Sequence, residues 1–356
     1  MLRRLLLLSA ALFLLSCTNQ RVFYKDKEVT IYDIGEMNSD LIIENNDSPA
    51  LICVTEDNLS VKMYMPYKRA NNYTTLLSLP VINTDTSNDM SVSSLAIFDK
   101  SVIVVNNYIE DYGTWVIDES GDNFTVSKYD KLIRGHHGYI YFNNNYYGIV
   151  NNNGGILLES LQNDKISYTL QDSNSRESKI INNYLRSEIY NYYIKSDGVL
   201  SCSVYDYSGT GHSPVLKDII KLANDVMRYS ISVDQNGIPV LFYTCSKTMG
   251  VFVLTDNNLL NTSAVTGDPT QTMMKSGFVN GIPFMVSLFE SYSISTSNTM
   301  YNITVFVKDM LTEEWSEKML FNSNELISSF EIAVAGDDLC ILLKTDSLKL
   351  IRYRIE

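Results

Sequence analysis

The sequence feature that most restricts the fold is a repeated hairpin pattern. Residues 232–244 read SVDQNGIPVLFYT and residues 274–288 read MKSGFVNGIPFMVSL, so an Asn-Gly-Ile-Pro turn precedes a strongly apolar run in both. An Asn-Gly pair between apolar runs is a strong sign of a β-hairpin, because both residues tolerate a positive φ. Weaker copies of this pattern place turns near positions 47, 99, 145, 198, 237, 281 and 338.

Each of these turns is followed by further strand-like segments. GTWVIDE from Gly113 and GVFVLTD from Gly250 are typical third strands, and FTVSKYD from Phe124 is a typical fourth strand. Four strands in a repeat of roughly 40 to 57 residues are the content of a propeller blade. The sequence therefore predicts an all-β chain, a β-propeller of about seven four-stranded blades. The alternatives are six or eight blades, or two β-sandwiches divided near residues 175–190.

The two ends of the chain predict how the propeller closes. The last repeat ends with LKLIRYRIE and is one strand short, while an extra strand-like segment, residues 28–34, precedes the first repeat. If this N-terminal strand completes the last blade, neither terminal strand is left as an open edge that could aggregate. The predicted propeller domain is therefore 28–356.

One segment fits the strand pattern poorly. Residues 213–227, SPVLKDIIKLANDVM, place apolar residues at helical spacing, and Ser213-Pro214 is typical of a helix start. The segment predicts either a short helix between blades or a fourth strand.

The N-terminus carries an export signal. Arg3 and Arg4 precede an apolar core at 5–15, which is shorter than the roughly 20 apolar residues that span a bilayer. The following Leu14-Leu15-Ser16-Cys17 resembles the bacterial lipobox. An uncleaved anchor helix with an incidental cysteine is the alternative.

The lipobox resemblance implies that the Cys17 thiol receives a diacylglyceride and that cleavage occurs just before it. It divides the N-terminus into a signal peptide, 1–16, and a lipidated tether, 17–27. The expected location is exported and membrane-bound through lipid on Cys17. Thr18 stands where an aspartate would favour the inner membrane, so the outer membrane or cell surface is favoured.

Residues 230–310 resemble the sialidase-like, BNR-type propeller superfamily. The stretch Ser232-Val233-Asp234-Gln235-Asn236-Gly237 is similar to the family's Asp-box, but the glycine comes one residue late and the tryptophan is missing. The resemblance implies either a surface binding protein or a carbohydrate-active enzyme. No arginine or tyrosine lies in an identifiable family motif, so no catalytic residue is assigned.

Charge and cysteine usage narrow the function further. The net charge of −13 argues against nucleic acid as a partner, since such binding requires Lys and Arg to neutralise phosphates. The cysteines other than Cys17 lie in apolar runs, which predicts buried free thiols, with one or two disulfides as the alternative. These cysteines are Cys53, Cys202, Cys245 and Cys340.

Four polar clusters could form sites, but their spacing predicts turns or loops. They are His136-His137, the glycine-rich segment 208–213, Glu110-Asp111 and Asp256-Asn257-Asn258. None has metal-ligand or nucleophile spacing, so the sequence predicts no metal, no cofactor and no catalytic residue.

The sequence thus predicts a membrane-anchored binding or scaffold module for protein or glycan. It does not decide whether the chain is an enzyme, although the lack of a catalytic motif favours a binding module. The alternative is a carbohydrate-active hydrolase, which requires two carboxyl groups about 5 to 10 Å apart.

Overall fold

The computed structural model describes most of the chain from residue 21 onward. Within these residues there are 29 strands and no helix, and therefore no helix long and apolar enough to cross a membrane. The described residues are 21–25, 28–35, 39, 41–45, 48–55, 60–66, 73–78, 90–97, 100–107, 113–120, 123–133, 136–152, 155–163, 166–170, 175–209, 213–247, 250–257, 263–266, 271–293 and 298–355.

The strands form seven antiparallel sheets, divided between two compact units. The first unit, built from both ends of the chain, contains blades 1 and 7. Blade 1 comprises β3 (Leu41–Asn45), β4 (Ser48–Val54), β5 (Ser60–Tyr64) and β6 (Tyr73–Ser78). Blade 7 comprises β1 (Arg21–Lys25), β2 (Val29–Gly35), β27 (Ser329–Ala335), β28 (Asp338–Lys344) and β29 (Leu348–Arg354).

The second unit, 79–324, contains blades 2 to 6. Blade 2 comprises β7 (Met90–Ile97), β8 (Lys100–Asn107), β9 (Gly113–Ser120) and β10 (Asn123–Tyr129). Blade 3 comprises β11 (His136–Phe142), β12 (Asn145–Asn152), β13 (Gly155–Ser160) and β14 (Ser167–Leu170). Blade 4 comprises β15 (Ser175–Asn183), β16 (Glu188–Lys195), β17 (Leu200–Asp206) and β18 (Val215–Ala223). Blade 5 comprises β19 (Val226–Val233), β20 (Pro239–Cys245), β21 (Val251–Thr255) and β22 (Ser263–Thr266). Blade 6 comprises β23 (Gln271–Val279), β24 (Ile282–Ser293), β25 (Asn298–Lys308) and β26 (Trp315–Ser323).

The fold is a seven-bladed β-propeller, as the repeat predicted. Strands of blades 1 to 6 pair in chain order, which is the meander expected of a blade, whereas blade 7 continues from β29 to the N-terminal strands β2 and β1. The alternatives with six or eight blades, and the pair of sandwiches, are wrong. The central strands are buried along nearly their whole length, for example in β16 and β20, which explains why they read as continuous apolar runs.

The predicted closure of the last blade is confirmed. Strand β2 pairs with β29, placing Val29 opposite Tyr353 and Ile31 opposite Ile351. Val29 and Ile31 are 3% and 4% exposed, so this strand contributes to the core as well as to the sheet. Strand β1 pairs with the outer side of β2 and lies within the segment predicted as a tether, 17–27.

The turn predicted near 198 is present, but it lies one strand later in its blade than the repeat predicts. Asp197-Gly198 joins β16 to β17, the second and third strands, whereas the other six predicted turns fall between first and second strands. The first hairpin of blade 4 is 184–187, Tyr-Leu-Arg-Ser, with a φ of 52° at Ser187. It contains no glycine, asparagine or aspartate, whereas each of the other predicted turns contains at least one of these residues.

The helix predicted as one option for 213–227 is wrong, and the strand option is confirmed. Residues 215–223 form β18, which pairs with β17, and Asp225 (φ 56°) turns the chain into β19. As an edge strand, β18 leaves Val215 and Ile219 largely exposed, so its apolar spacing does not reflect a helix face. β-branched residues favour a pleated strand once a neighbouring strand satisfies the backbone.

The four described cysteines are free, as predicted, and the disulfide alternative is wrong. Cys53, Cys202 and Cys340 are buried, whereas Cys245 is half-buried. Burial raises the pKa of the Cys202 and Cys340 thiols to about 12 and that of Cys53 to about 11. These thiols remain protonated at neutral pH and act as small apolar side chains.

Candidate ligand-binding site

A pocket of about 550 Å³ lies where blades 5 and 6 meet, within the second unit. We call it the blade 5–6 pocket. Its walls combine apolar side chains with two carboxylates, one ammonium and two hydroxyls. The lining residues are Asp234, Ile238, Val240, Val253, Thr255, Ser263, Phe278, Gly281, Pro283, Lys308, Met310, Glu313 and Trp315.

The floor of the pocket belongs to the apolar core between the two blades. Alternating side chains of β20 point to opposite faces: Val240 and Phe242 pack toward blade 6, whereas Leu241 and Tyr243 pack toward blade 4. Trp315 packs on the edge of the blade 5–6 core, with its ring centroid 5.3 Å from that of Phe242 at 79°. The indole is therefore held by packing and also borders the pocket.

The first wall is the hairpin between β19 and β20. Asp234 Oδ1 accepts hydrogen bonds from the backbone N–H groups of Asn236 (2.8 Å) and Ile238 (2.7 Å). Gly237 has a φ of 74°, and its N–H donates to the Asp234 carbonyl at 3.0 Å. Asp234 thus caps its own turn with Oδ1, and Oδ2 is the oxygen with fewer contacts, a 3.5 Å approach from Asn236 Nδ2.

The second wall is the hairpin between β23 and β24. It has the same Asn-Gly-Ile-Pro sequence as the first wall but a different turn structure. Asn280 (φ 52°) and Gly281 (φ 78°) form a two-residue turn with both φ values positive, as a type I′ hairpin requires. The position equivalent to Asp234 is Phe278, which stays in β23 and pairs with Pro283. The aspartate cap therefore lengthens the blade 5 turn and brings a carboxylate to the pocket.

The third wall is the hairpin between β25 and β26. Asp309 Oδ1 accepts hydrogen bonds from the N–H groups of Thr312 (3.1 Å) and Leu311 (2.7 Å), which lower the pKa of the Asp309 carboxyl. Glu313 takes a left-handed conformation (φ 60°), and its N–H donates to the Asp309 carbonyl at 2.9 Å. This hairpin therefore has a defined backbone from which Glu313 reaches the pocket.

Lys308 and Trp315 flank the third wall as a cross-strand pair. They lie directly opposite each other at the ends of β25 and β26. Side chains that face each other across an antiparallel pair leave the sheet on the same side, so the ammonium and the indole both line the pocket. Within the described part of the chain, neither Lys308 nor Glu313 forms an ion pair.

A residue of the first hairpin of blade 4 holds the first wall of the pocket through a hydrogen bond. Buried Asn183 donates from Nδ2 to the Gly237 carbonyl at 2.6 Å. A Cβ on Gly237 would lie 2.6 Å from Asn183 Oδ1, so only glycine fits this close approach and positive φ. The hairpin that carries Asp234 is thus fixed to its neighbour.

The predicted turn at His136-His137 is wrong, because both residues lie in β11. His137 is exposed, and half-buried His136 contacts the Ile133 carbonyl through Nδ1 (3.1 Å) and Asn106 through Nε2 (3.3 Å). Burial lowers the pKa of His136, so the neutral imidazole is favoured. Among the residues that the structure covers, no three His, Cys, Asp or Glu side chains are grouped as metal ligands would be.

The remaining sequence-predicted positions are separate from the pocket or outside the described residues. Asp256-Asn257 forms a turn, as predicted, with φ values of 55° and 52°. Cys17, Glu110-Asp111 and His212 lie outside the described residues. Of the pocket residues that carry charge, only Asp234 drew attention in the sequence; Lys308 and Glu313 belong to no repeat or motif.

No family model matches the chain, and no curated protein sequence matches it. Among solved structures, it is similar to the BP39L lectin from Burkholderia pseudomallei, with a TM-score of 0.56 and 8% identity over 90% of this chain and 97% of that chain. It is also similar to YCF48 bound to D1 peptide, with a TM-score of 0.52 and 11% identity over 96% and 99% of the two chains. A puromycin hydrolase mutant complexed with PGG has a TM-score of 0.53 and 6% identity over 90% of this chain and 52% of that chain. At these identities, the similarity shows the propeller fold alone.

Proposed function

We propose that this protein is a lipid-anchored binding module that recognises saccharide units of a glycan in the blade 5–6 pocket. The observation that carries the proposal is an indole, Trp315, set among the polar groups of Lys308, Asp234 and Glu313. Sugar rings combine an apolar C–H face, which packs on an aromatic ring, with hydroxyls that hydrogen-bond to charged side chains. A pocket of about 550 Å³ lies within the usual range for small ligands.

The fold is compatible with more than one ligand class. One similar structure is a lectin, which supports a saccharide, and another is bound to a peptide, which makes a peptide the main competing ligand. The pocket favours the saccharide because its polar groups line the same cavity as an aromatic ring, and because three hairpins form its walls. An extended peptide needs a longer groove or a free strand edge.

A carbohydrate-active hydrolase is the second candidate, since two carboxylates line the same pocket. Hydrolysis would require one carboxyl group to donate a proton and the other to act as base or nucleophile. Asp234 already uses Oδ1 to hold its own turn through two backbone N–H groups, which gives it a structural role. We therefore place binding before catalysis. Product analysis after prolonged incubation with a bound oligosaccharide would separate the two.

Trp315 provides its own test of binding. The chain has two tryptophans, and Trp115 is only 6% exposed in blade 2. In a Trp115→Phe variant, Trp315 is the single indole reporter, and we expect saturable changes in its fluorescence on titration with a panel of saccharides. If no saccharide in the panel changes the Trp315 emission and peptides do change it, the saccharide proposal is overturned.

The lipid anchor is proposed on the Leu-Leu-Ser-Cys sequence at 14–17. We expect palmitate labelling of the wild-type protein in a host with lipoprotein processing, and recovery of the protein in the outer-membrane fraction. Cys17→Ala should abolish the label and release the protein, because two acyl chains supply the membrane affinity. Cys245→Ala, which changes a half-buried thiol, is the matched control and should retain both. Labelled Cys17→Ala protein would refute the anchor.

A further inference from the structure

The charges of the blade 5–6 pocket are unequal. Asp234 and Glu313 bring two negative charges, and Lys308 brings one positive charge. The protein as a whole carries −13, which adds a negative background to the local field. A positively charged ligand is therefore favoured over a negatively charged one.

The two carboxylates are presented by constrained backbone, whereas the ammonium is on a long flexible stem. The turn around Asp234 is closed by four hydrogen bonds, and Glu313 is fixed at the backbone by Asp309. Lys308 lies at the end of β25 and can turn its ammonium toward water, since Lys combines a flexible stem with a strongly hydrated head. The backbones that carry the negative groups are thus fixed beside the pocket, and the positive group can withdraw.

The Trp315 indole also favours a positively charged ligand. A protonated amine on a ring that packs against Trp315 lies close to the negative π face of the indole, which attracts cations. A carboxylate in the same place would face the indole and two carboxylates, with Lys308 as its one countercharge.

Building on the proposed function, we propose that the blade 5–6 pocket selects saccharides that carry a protonated amine over saccharides that carry a carboxylate. The selectivity comes from Glu313 and Asp234 acting against Lys308. This reverses the preference of a site built from arginines to hold an acidic sugar.

The test compares three probes of similar size: a glucosamine oligomer, its N-acetylated form and an oligomer containing glucuronate. Titrations use the Trp115→Phe protein near pH 6, where the amine is protonated. We expect the glucosamine oligomer to bind about tenfold more tightly than the N-acetylated form, the effect of one charge pair near a protein surface. We also expect this advantage to shrink as salt rises.

Two variants separate selectivity from folding. Glu313→Gln keeps the shape of an exposed side chain and should remove most of the preference for the amine. Lys308→Met should preserve or increase that preference and weaken glucuronate binding. Equal affinity for all three probes, or tighter glucuronate binding, would overturn the selectivity while leaving saccharide binding intact. Binding of none of the probes, nor of any other saccharide, would instead refute the proposed function itself.

Discussion

Deleting residues 1–35 is expected to destabilise the protein by about 5 kcal/mol or more, enough to unfold a propeller of ordinary stability. The deletion removes β2 from the last blade and strips its backbone hydrogen bonds from β29. It also removes the buried side chains Val29 and Ile31, of which Ile31 lies opposite the fully buried Ile351. The free energy of unfolding, measured with urea by far-UV circular dichroism, tests this.

A shorter deletion is the matched control. Removing residues 1–27 takes away the predicted signal, the predicted tether and β1, but leaves β2 and the hydrogen bond from the Arg354 N–H to the Glu28 carbonyl. We expect the free energy of unfolding of this variant to lie within about 1 kcal/mol of that of the chain 17–356, because surface changes away from the core cost little. Equal stability of the two deletions would contradict the closure of the blade by β2.

A peptide of residues 28–35 gives a further readout if the longer deletion folds poorly. Added in excess, it should pair with the vacant edge of β29 and raise the midpoint of unfolding, as strand addition does at other exposed edges. A scrambled peptide should not.

Trp315→Ala is expected to weaken saccharide binding about 50-fold or more, the range found for aromatic residues at the centre of binding sites. The indole supplies the packing face of the pocket, and the remaining carboxylates and Lys308 cannot replace it. The change should also lower stability by about 1 to 3 kcal/mol, because the ring packs on Phe242. Isothermal titration calorimetry measures the affinity without an indole reporter.

Two variants control for this result. Trp315→Phe keeps an aromatic ring and should recover part of the affinity. Leu311→Ala lies in the same hairpin, but its side chain is 96% exposed and does not line the pocket, so the affinity should be unchanged. A folded Trp315→Ala protein with wild-type affinity would show that the ligand binds elsewhere.

Much of the fold could be read from local sequence. Turns such as Asn280-Gly281 are identifiable because positive φ at two successive residues restricts the side chains allowed there. The central strands are identifiable because burial on both faces demands continuous apolar runs. Where those signals are missing, as in Tyr-Leu-Arg-Ser at 184–187, local sequence places the first turn of blade 4 one strand too late.

The helix expected as one option at 213–227 shows the limit of periodicity. Apolar residues on the exposed edge strand β18 happen to recur at helical spacing, and only pairing with β17 decides that the segment is extended. Local spacing cannot report a partner strand, because the hydrogen bonds that stabilise a strand come from another part of the chain.

By itself, the sequence determined the turns and the buried strands that make a propeller of about seven blades the predicted fold, because turn chemistry and strand burial are local properties. The structure decided the number of blades and confirmed that the N-terminal strand completes the last one. The tertiary structure alone decided the site. Asp234 differs from its repeat partner Phe278 by capping a turn, and it meets Lys308, Glu313 and Trp315 only because blade 5 packs on blade 6. Such groups lie up to about 80 residues apart in sequence, and nothing in their local patterns records that they converge.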